Sequence, residues 1–228
     1  MPPAFLAIGH FCQDVTPNGY TIGGGAAYST VTARNLGLGT HAVTSVAEDF
    51  NRKNPVLDRI NVTYHDSIET TIFDNQYDQY GKRHQKILGI GDKLQPSHIP
   101  IELQNTGIVY LCPIADEVDP ELVRCFKHCL IGVTPQGWMR QWGSSRQVRP
   151  KRWDTAEKIL SHTDILVLSD EDFLNNFPFL SIIPCSNAGI SSQSVTNCEI
   201  ILYVTNVSNA REAIYLIFLK SSITLLSN

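Results

Sequence analysis

An acidic residue and a glycine run lie close together near the start of the sequence and offer two kinds of polar contact. The carboxylate of Asp14 can accept hydrogen bonds from hydroxyl groups. The glycines at 23, 24 and 25 let backbone N–H groups approach a ligand closely, because glycine has no Cβ. A helix that begins there adds N–H donors at the positive end of its dipole. Together these groups favour a polyol ligand over a phosphate.

Two other interpretations of the glycine run stay open. The segment resembles the dinucleotide-binding pattern G-x-G-x-x-G, but Tyr28 stands where the third glycine would be. In addition, no clear acidic residue follows at the end of a second strand, about 20 residues further on. The run could also be a flexible turn before a helix.

The elements that must position these residues follow an α/β pattern. An apolar strand at 4–9 precedes Asp14, a helix of small residues is predicted at 26–36, and a second strand at 42–46. Further strands are predicted at 107–111, 130–134, 164–168 and 199–205. Because strands alternate with helices, we expect a parallel sheet whose carboxyl edge carries the ligand site, with Asp14 and Ser169 along that edge.

The segment from about 61 to 90 breaks this pattern. Strands at 62–65, 70–77 and 83–88 follow one another without helices between them, and Gly81 marks the turn between the last two. Three short strands in succession predict an antiparallel flap. Such a flap must pack on the main domain or on the flap of a second copy.

Composition limits the class of protein. The 228 residues and 43% hydrophobic content fit a globular α/β protein. The formal net charge of -4 argues against a nucleic-acid partner, since a duplex binder presents a basic face. No basic N-terminal region and no membrane-length apolar run occur, so we expect a cytoplasmic protein without a membrane partner.

Two polar segments could be mistaken for sites. The basic residues between Arg140 and Arg152 are interpreted as a solvated loop. Cys125, His128 and Cys129 are close enough in sequence to suggest a metal site, but no second pair of ligands accompanies them. The sequence therefore predicts no metal site at these residues.

The order of these parts resembles the ribokinase-like (PfkB) carbohydrate kinases over about residues 5–173. Gly24 and Gly25, followed by a helix of small residues, resemble the family's N-terminal signature, and Asp14 matches the acidic residue that holds substrate hydroxyls. Tyr28 resembles the inositol-kinase-like branch, which has an aromatic residue there. The resemblance implies that these four residues bind a sugar or cyclitol.

The resemblance also implies a fold and a phosphoryl donor. The expected fold is a three-layer α/β/α sandwich with a small β lid, with residues 1–175 as the domain and about 61–90 as the lid. Ser169 and Asp172 stand where the family has Asn-x-x-Glu, a motif that helps to organise Mg²⁺ and phosphates. ATP and Mg²⁺ are therefore the implied cofactors, and a homo-oligomer through the lid is expected.

The C-terminal segment 176–228 diverges from the family. The family's late Gly-Ala-Gly-Asp motif supplies the base for the attacking hydroxyl and N–H groups for the transferring phosphoryl group, and it has no counterpart here. Gly89, Gly91 and Asp92 resemble it in letters, but Pro96 would interrupt the helix that an anion hole needs. A turn is predicted there, and no catalytic residue is assigned.

The expected function is therefore a carbohydrate kinase whose fold is incomplete at the C-terminus and whose phosphoryl transfer is impaired, for example by a truncation or a shifted reading frame. The alternative is a non-catalytic remnant that binds a polyol or a protein partner through the same half-site.

Overall fold

The structure, a computed structural model, describes residues 4–169, 189–195 and 198–204. The strands are β1 (Phe5–Ile8), β2 (Cys12–Thr16), β3 (Gly19–Gly23), β4 (Thr40–Val46), β5 (Asn61–Asp66), β6 (Thr71–Tyr77), β7 (Arg83–Gly89), β8 (Ile108–Leu111), β9 (Leu130–Val133), β10 (Arg140–Gln141), β11 (Arg149–Pro150), β12 (Ile165–Ser169), β13 (Gly189–Val195) and β14 (Cys198–Val204). The α-helices are α1 (Gly25–Asn35) and α2 (Ala156–Leu160). Short 3-10 helices cover Pro55–Leu57, Pro96–His98, Ile101–Asn105, Pro120–Cys125 and Gln136–Met139.

The central sheet has the strand order β13-β14-β12-β9-β8-β1-β4-β5. The six strands from β12 to β5 in that order are parallel, and β14 and β13 add antiparallel strands at one edge. β1 lies in the middle, with Phe5 opposite Thr40 of β4 on one side and Ile108 of β8 on the other. The predicted parallel sheet is confirmed for the strands from β12 to β5, and the strand predicted at 199–205 is β14, which pairs antiparallel at the edge.

Apolar layers cover both faces of this sheet. Alternate residues of a strand point to opposite faces, so Phe5 packs in the cluster that contains α1, and Leu6 packs in the cluster that contains α2. On the second face the rings of Trp138 and Trp153 stack with their centroids 5.8 Å apart. The arrangement is the expected three-layer α/β/α sandwich, although 3-10 helices form much of the second outer layer.

Helix α1 forms from small residues that pack closely on β1 and β4. Ala26, Ala27 and Ala33 are buried, and the Thr30 hydroxyl donates to the Ala26 carbonyl oxygen at 2.7 Å, which hides its polar atom inside the helix. The helix ends where Gly37 adopts a φ of 86°, the left-handed conformation typical of a helix C-terminus. Both predicted ends of this helix are close to the observed ones.

A second sheet, the lid, has the strand order β3-β2-β6-β7. The prediction of a lid over about 61–90 was wrong in two respects. The strand predicted at 62–65 is β5, which pairs in parallel with β4 in the central sheet, and the hairpin of β2 and β3, which was not predicted, supplies half of the lid. The hairpin of β6 and β7 agrees with the prediction.

None of the helices in the described part of the chain has the length and apolar character that a membrane crossing requires.

Candidate functional site

The candidate site lies between the lid and the loop that follows β8. The inner face of the lid is the one that carries Cys12, Phe73 and Ile87, and these side chains pack on Ile114 and Ala115. That loop begins at the carboxyl end of a central strand of the parallel sheet, which is where ligands bind in open α/β sheets.

Asp14 lies on β2, so the structure places it in the lid and not in a loop at the edge of the central sheet. Because side chains alternate along a strand, Asp14 is on the inner face with Cys12. Its Oδ1 accepts a hydrogen bond from Asn75 Nδ2 at 3.0 Å, and Asn75 Oδ1 accepts one from Gln85 Nε2 at 2.6 Å. A row of polar groups therefore crosses three adjacent lid strands.

The charge of Asp14 is set by opposing influences. Burial raises the pKa of its carboxyl group above the usual value, while the Asn75 hydrogen bond and the positive charges of Arg83 and Arg140 act in the opposite direction. A carboxylate can accept about four hydrogen bonds, so the bond from Asn75 leaves capacity for ligand hydroxyls.

The glycine run links the lid to α1 at close quarters. A Cβ at position 23 would overlap Oδ2 of Asp14, and a Cβ at position 24 would overlap the carbonyl oxygen of His10. Gly24 also has φ 100° and ψ 142°, a backbone conformation that residues other than glycine rarely adopt. Gly24 is the N-cap of α1 and has no capping side chain, so the helix begins with N–H donors close to Asp14.

Tyr28 lies one turn into α1 and packs next to the same corner. Its hydroxyl donates to the carbonyl oxygen of Ile22 at 3.2 Å. Burial, followed by the charges of Asp14 and Cys12, raises the pKa of Tyr28 to about 12, so the phenol stays protonated at neutral pH. The structure thus brings Asp14, Gly24, Gly25 and Tyr28 together, and their role in binding stays a prediction.

The residues predicted on the phosphate side are only partly described. Ser169 is the last residue of β12 at the carboxyl edge of the sheet, and its backbone is paired with Ile200 of β14. Asp172 lies outside the described residues. Within the described ranges there is no group of three or more His, Cys, Asp or Glu side chains placed to hold a metal ion. The described residues thus form no cage of three or more such ligands, whereas Mg²⁺ in phosphate-binding sites is commonly held by one or two carboxylates together with phosphates and water.

Asp92 does not begin a helix, as was expected from Pro96, and the chain around it has no regular secondary structure. Its N–H donates to Ser67 Oγ at 2.9 Å, and its carbonyl oxygen accepts from His10 Nε2 at 2.9 Å. The backbone of the Gly91-Asp92 segment is therefore engaged in contacts at the base of the lid.

The basic segment from Arg140 to Arg152 was predicted to be a solvated loop, and the structure shows that it also makes buried contacts. Arg140 is buried, and its guanidinium donates to the Ile114 carbonyl oxygen at 3.0 Å and lies 5.6 Å from the ring centre of Phe73. Further on, Val148 N–H donates to the Gln85 carbonyl oxygen at 2.9 Å, next to the outer edge of β7. The segment therefore joins the lid to the main domain.

Sequence reasoning missed Asn75, Gln85, Arg140, His10 and Glu117. The alternation of β6 places Asn75 on the same face as buried Phe73, so that pattern could have identified it. Nothing local marks Glu117, a buried carboxylate that accepts from the backbone N–H groups of Ile114 and Ala115 at 2.7–3.0 Å.

The cysteine segment lies at the opposite edge of the sheet. Cys129 precedes β9 and lines an open surface cleft with Lys127 and Asp164. Burial raises the pKa of the Cys129 thiol, which makes it a poorer metal ligand.

The sequence matches no protein-family model and no curated protein, but solved structures resemble this fold. A pyrophosphate-dependent kinase in the ribokinase family, complexed with a pyrophosphate analog and myo-inositol, superposes with a TM-score of 0.68 at 19% identity, covering 95% of this chain and 84% of that one. The ribokinase from Thermotoga maritima gives a TM-score of 0.55 at 15% identity over 78% and 64% of the two chains.

A sulfate complex of a pyrophosphate-dependent kinase in the ribokinase family gives a TM-score of 0.56 at 22% identity. The match covers 70% of this chain and 60% of that one, so this chain spans less than two thirds of the length of that kinase. This chain has the ribokinase-like fold that was expected from its sequence.

Proposed function

We propose that this chain is a carbohydrate kinase that phosphorylates a hydroxyl group of a sugar or cyclitol. The position of Asp14 is the observation that carries the proposal. It lies on the inner face of a lid, held by Asn75 and next to the glycines that begin α1. A carboxylate in that place can orient a hydroxyl between the lid and the helix.

The substrate class follows from the polar row on the lid. The Asp14 carboxylate accepts hydrogen bonds, and the amides of Asn75 and Gln85 both donate and accept. Polyol hydroxyls also do both, so a ring with several hydroxyls can extend this row. Tyr28 adds an aromatic surface at the edge of the same corner. One structure with this fold is a complex with a pyrophosphate analog and myo-inositol, which favours a cyclitol as the first acceptor to test.

We propose ATP with Mg²⁺ as the donor, with Ser169 and Asp172 on the donor side. When bound, the donor supplies the phosphoryl group, and the chain's own residues hold the acceptor and limit the access of water. Pyrophosphate belongs in the same assays, because pyrophosphate-dependent kinases share the fold.

The test compares Asp14→Asn with Asp74→Asn in calorimetric titrations with myo-inositol and ribose, followed by transfer assays with each donor. Asp74 lies on the opposite face of the lid from Asp14, where Gln76 Nε2 donates to it at 3.0 Å. We expect Asp14→Asn to weaken acceptor binding about tenfold or more, as for a lost bond to a charged group, and Asp74→Asn to bind as the wild type does.

Equal binding by the two variants would refute the role of Asp14. Acceptor binding without transfer from either donor would favour the non-catalytic polyol-binding alternative. Wild-type protein that binds no sugar or cyclitol would refute the proposed function itself.

We also propose a homodimer through the lid. Its outer face carries Val15, Tyr20 and Leu88, which are 38%, 59% and 41% exposed, and a second lid would cover them. Sedimentation of Tyr20→Lys should show a shift to monomer, while Tyr80→Lys at the hairpin tip should not. A monomeric wild-type protein would refute the proposal.

A further inference from the structure

The chain passes between the central sheet and the lid at four places. It enters the lid after β1 and returns through Gly24 to α1, then enters again after β5 and returns after β7. The orientation of the lid therefore depends on how these four connections are held together.

His10 lies in the first connection and contacts Gly24 in the second, Thr71 where the third enters β6, and Asp92 in the fourth. It is fully buried, and its carbonyl oxygen lies against Gly24 so closely that a Cβ there would overlap it. Its ring Nδ1 is 2.7 Å from Thr71 Oγ1 at the start of β6, and its Nε2 is 2.9 Å from the carbonyl oxygen of Asp92 after β7.

The hydrogen-bond partners define the tautomer of this ring. The Asp92 carbonyl oxygen can only accept, so His10 Nε2 carries a proton and donates. Thr71 Oγ1 accepts from Gly91 N–H at 3.0 Å, and its own proton is available for donation to His10 Nδ1. With a proton on Nε2 and the Thr71 hydroxyl donating to Nδ1, each of these groups has a hydrogen-bond partner.

The backbone around the ring fits this arrangement. A Cβ at position 91 would lie 3.0 Å from His10 Cε1, so glycine allows the segment after β7 to approach the imidazole. The His10 N–H donates to Glu117 Oε1 at 3.0 Å. Since Glu117 also holds Ile114 and Ala115, the same network includes the loop under the lid.

We propose that His10 is a positioning residue that fixes the lid against the central sheet and thereby sets the distance between Asp14 and the start of α1. The register supports this, because Thr71 is opposite Cys12 and Phe73 is opposite Asp14. A shift of β6 at Thr71 is therefore transmitted to Asp14. The claim that this geometry matters for the acceptor rests on the proposed function.

The test uses Thr71→Val, which removes the hydroxyl and nearly keeps the shape of the side chain. Thr71→Ser restores a hydroxyl. The matched control is Thr63→Val, because Thr63 Oγ1 forms a similar contact with His41 Nε2 at 2.8 Å between β5 and β4, outside the lid. His10→Gln is a second route, since its amide N–H can still donate towards Asp92 but no acceptor remains at the position of Nδ1 next to Thr71.

The readouts are hydrogen exchange of the β6 and β7 amides and calorimetric titration with myo-inositol. We expect Thr71→Val and His10→Gln to exchange about three- to tenfold faster in the lid, as for one lost buried hydrogen bond, and to bind myo-inositol more weakly. Thr71→Ser should restore both properties, and Thr63→Val should leave the lid unchanged.

Lid exchange at the wild-type rate in both Thr71→Val and His10→Gln would overturn the proposal, as would equal acceleration by Thr63→Val. A faster lid with unaltered myo-inositol affinity would overturn the positioning role. If the wild-type protein binds no polyol, the proposed function is refuted. The exchange experiment still decides whether His10 fixes the lid.

Discussion

Replacing Gly24 with alanine should destabilise the protein for two separable reasons. At φ 100° and ψ 142°, a residue with a Cβ costs about 1–3 kcal/mol in backbone strain. The new Cβ would also overlap the His10 carbonyl oxygen, which is backbone and cannot rotate away, so overpacking adds about 1–3 kcal/mol. We expect a total loss of about 2–6 kcal/mol, a large share of the about 5–15 kcal/mol that holds a typical domain folded.

Gly37→Ala is the control that isolates the second reason. Gly37 has φ 86°, and a Cβ there would meet nothing within 4 Å, so only the backbone strain of about 1–2 kcal/mol applies. Urea denaturation of the wild type and both variants gives the free energies of unfolding. If Gly24→Ala and Gly37→Ala lose the same amount, the close contact between Gly24 and His10 does not exist as described.

Three further predictions concern stability. Burial and the neighbouring charge of His65 lower the pKa of His98, against the opposing effect of Asp92. The unfolded chain therefore binds a proton at His98 more readily than the folded chain does. The contribution of neutral His98 to stability should be complete above about pH 6.5 and should be lost as the pH falls below that value. Thermal melts from pH 7.5 to 5 should show this loss and a smaller one in His98→Gln, and equal losses would contradict it. Trp153→Ala should cost about 3–5 kcal/mol by leaving a cavity in the core, measured by urea denaturation, and a loss under 1 kcal/mol would show that the site is not tightly packed. Glu117→Gln should cost about 1.5–3 kcal/mol, because its charged oxygens accept several backbone N–H bonds, and an unchanged free energy of unfolding would argue against that network.

Local patterns in the sequence predicted the elements whose form depends on neighbouring residues. Small residues after a glycine run predicted α1, and Gly37 predicted its end. The alternation of apolar and polar residues predicted the hairpin of β6 and β7. In each case the hydrogen bonds that define the element join residues close in the chain, so the necessary information is local.

The same patterns assigned one strand to the wrong sheet. The residues of β5 have the alternating, β-forming character of a lid strand, yet β5 pairs with β4 at the edge of the central sheet. β-Propensity reports a fit to a half-buried pleated surface and contains no information about the partner strand. The choice between two sheets is made by long-range packing.

By itself the sequence determined that Asp14, Gly24 and Gly25 are candidates for binding a polyol, because residue type limits what a group can donate or accept, and the resemblance to the inositol-kinase-like branch added Tyr28. Only the tertiary structure decided that Asp14 lies on the lid, that Asn75 holds it, and that the connections to the lid meet at His10. The contacts of Asp14 with Asn75 and of His10 with Thr71 and Asp92 join residues that are 61 or more positions apart. No local pattern encodes them, because they exist only when both sheets have formed and packed together.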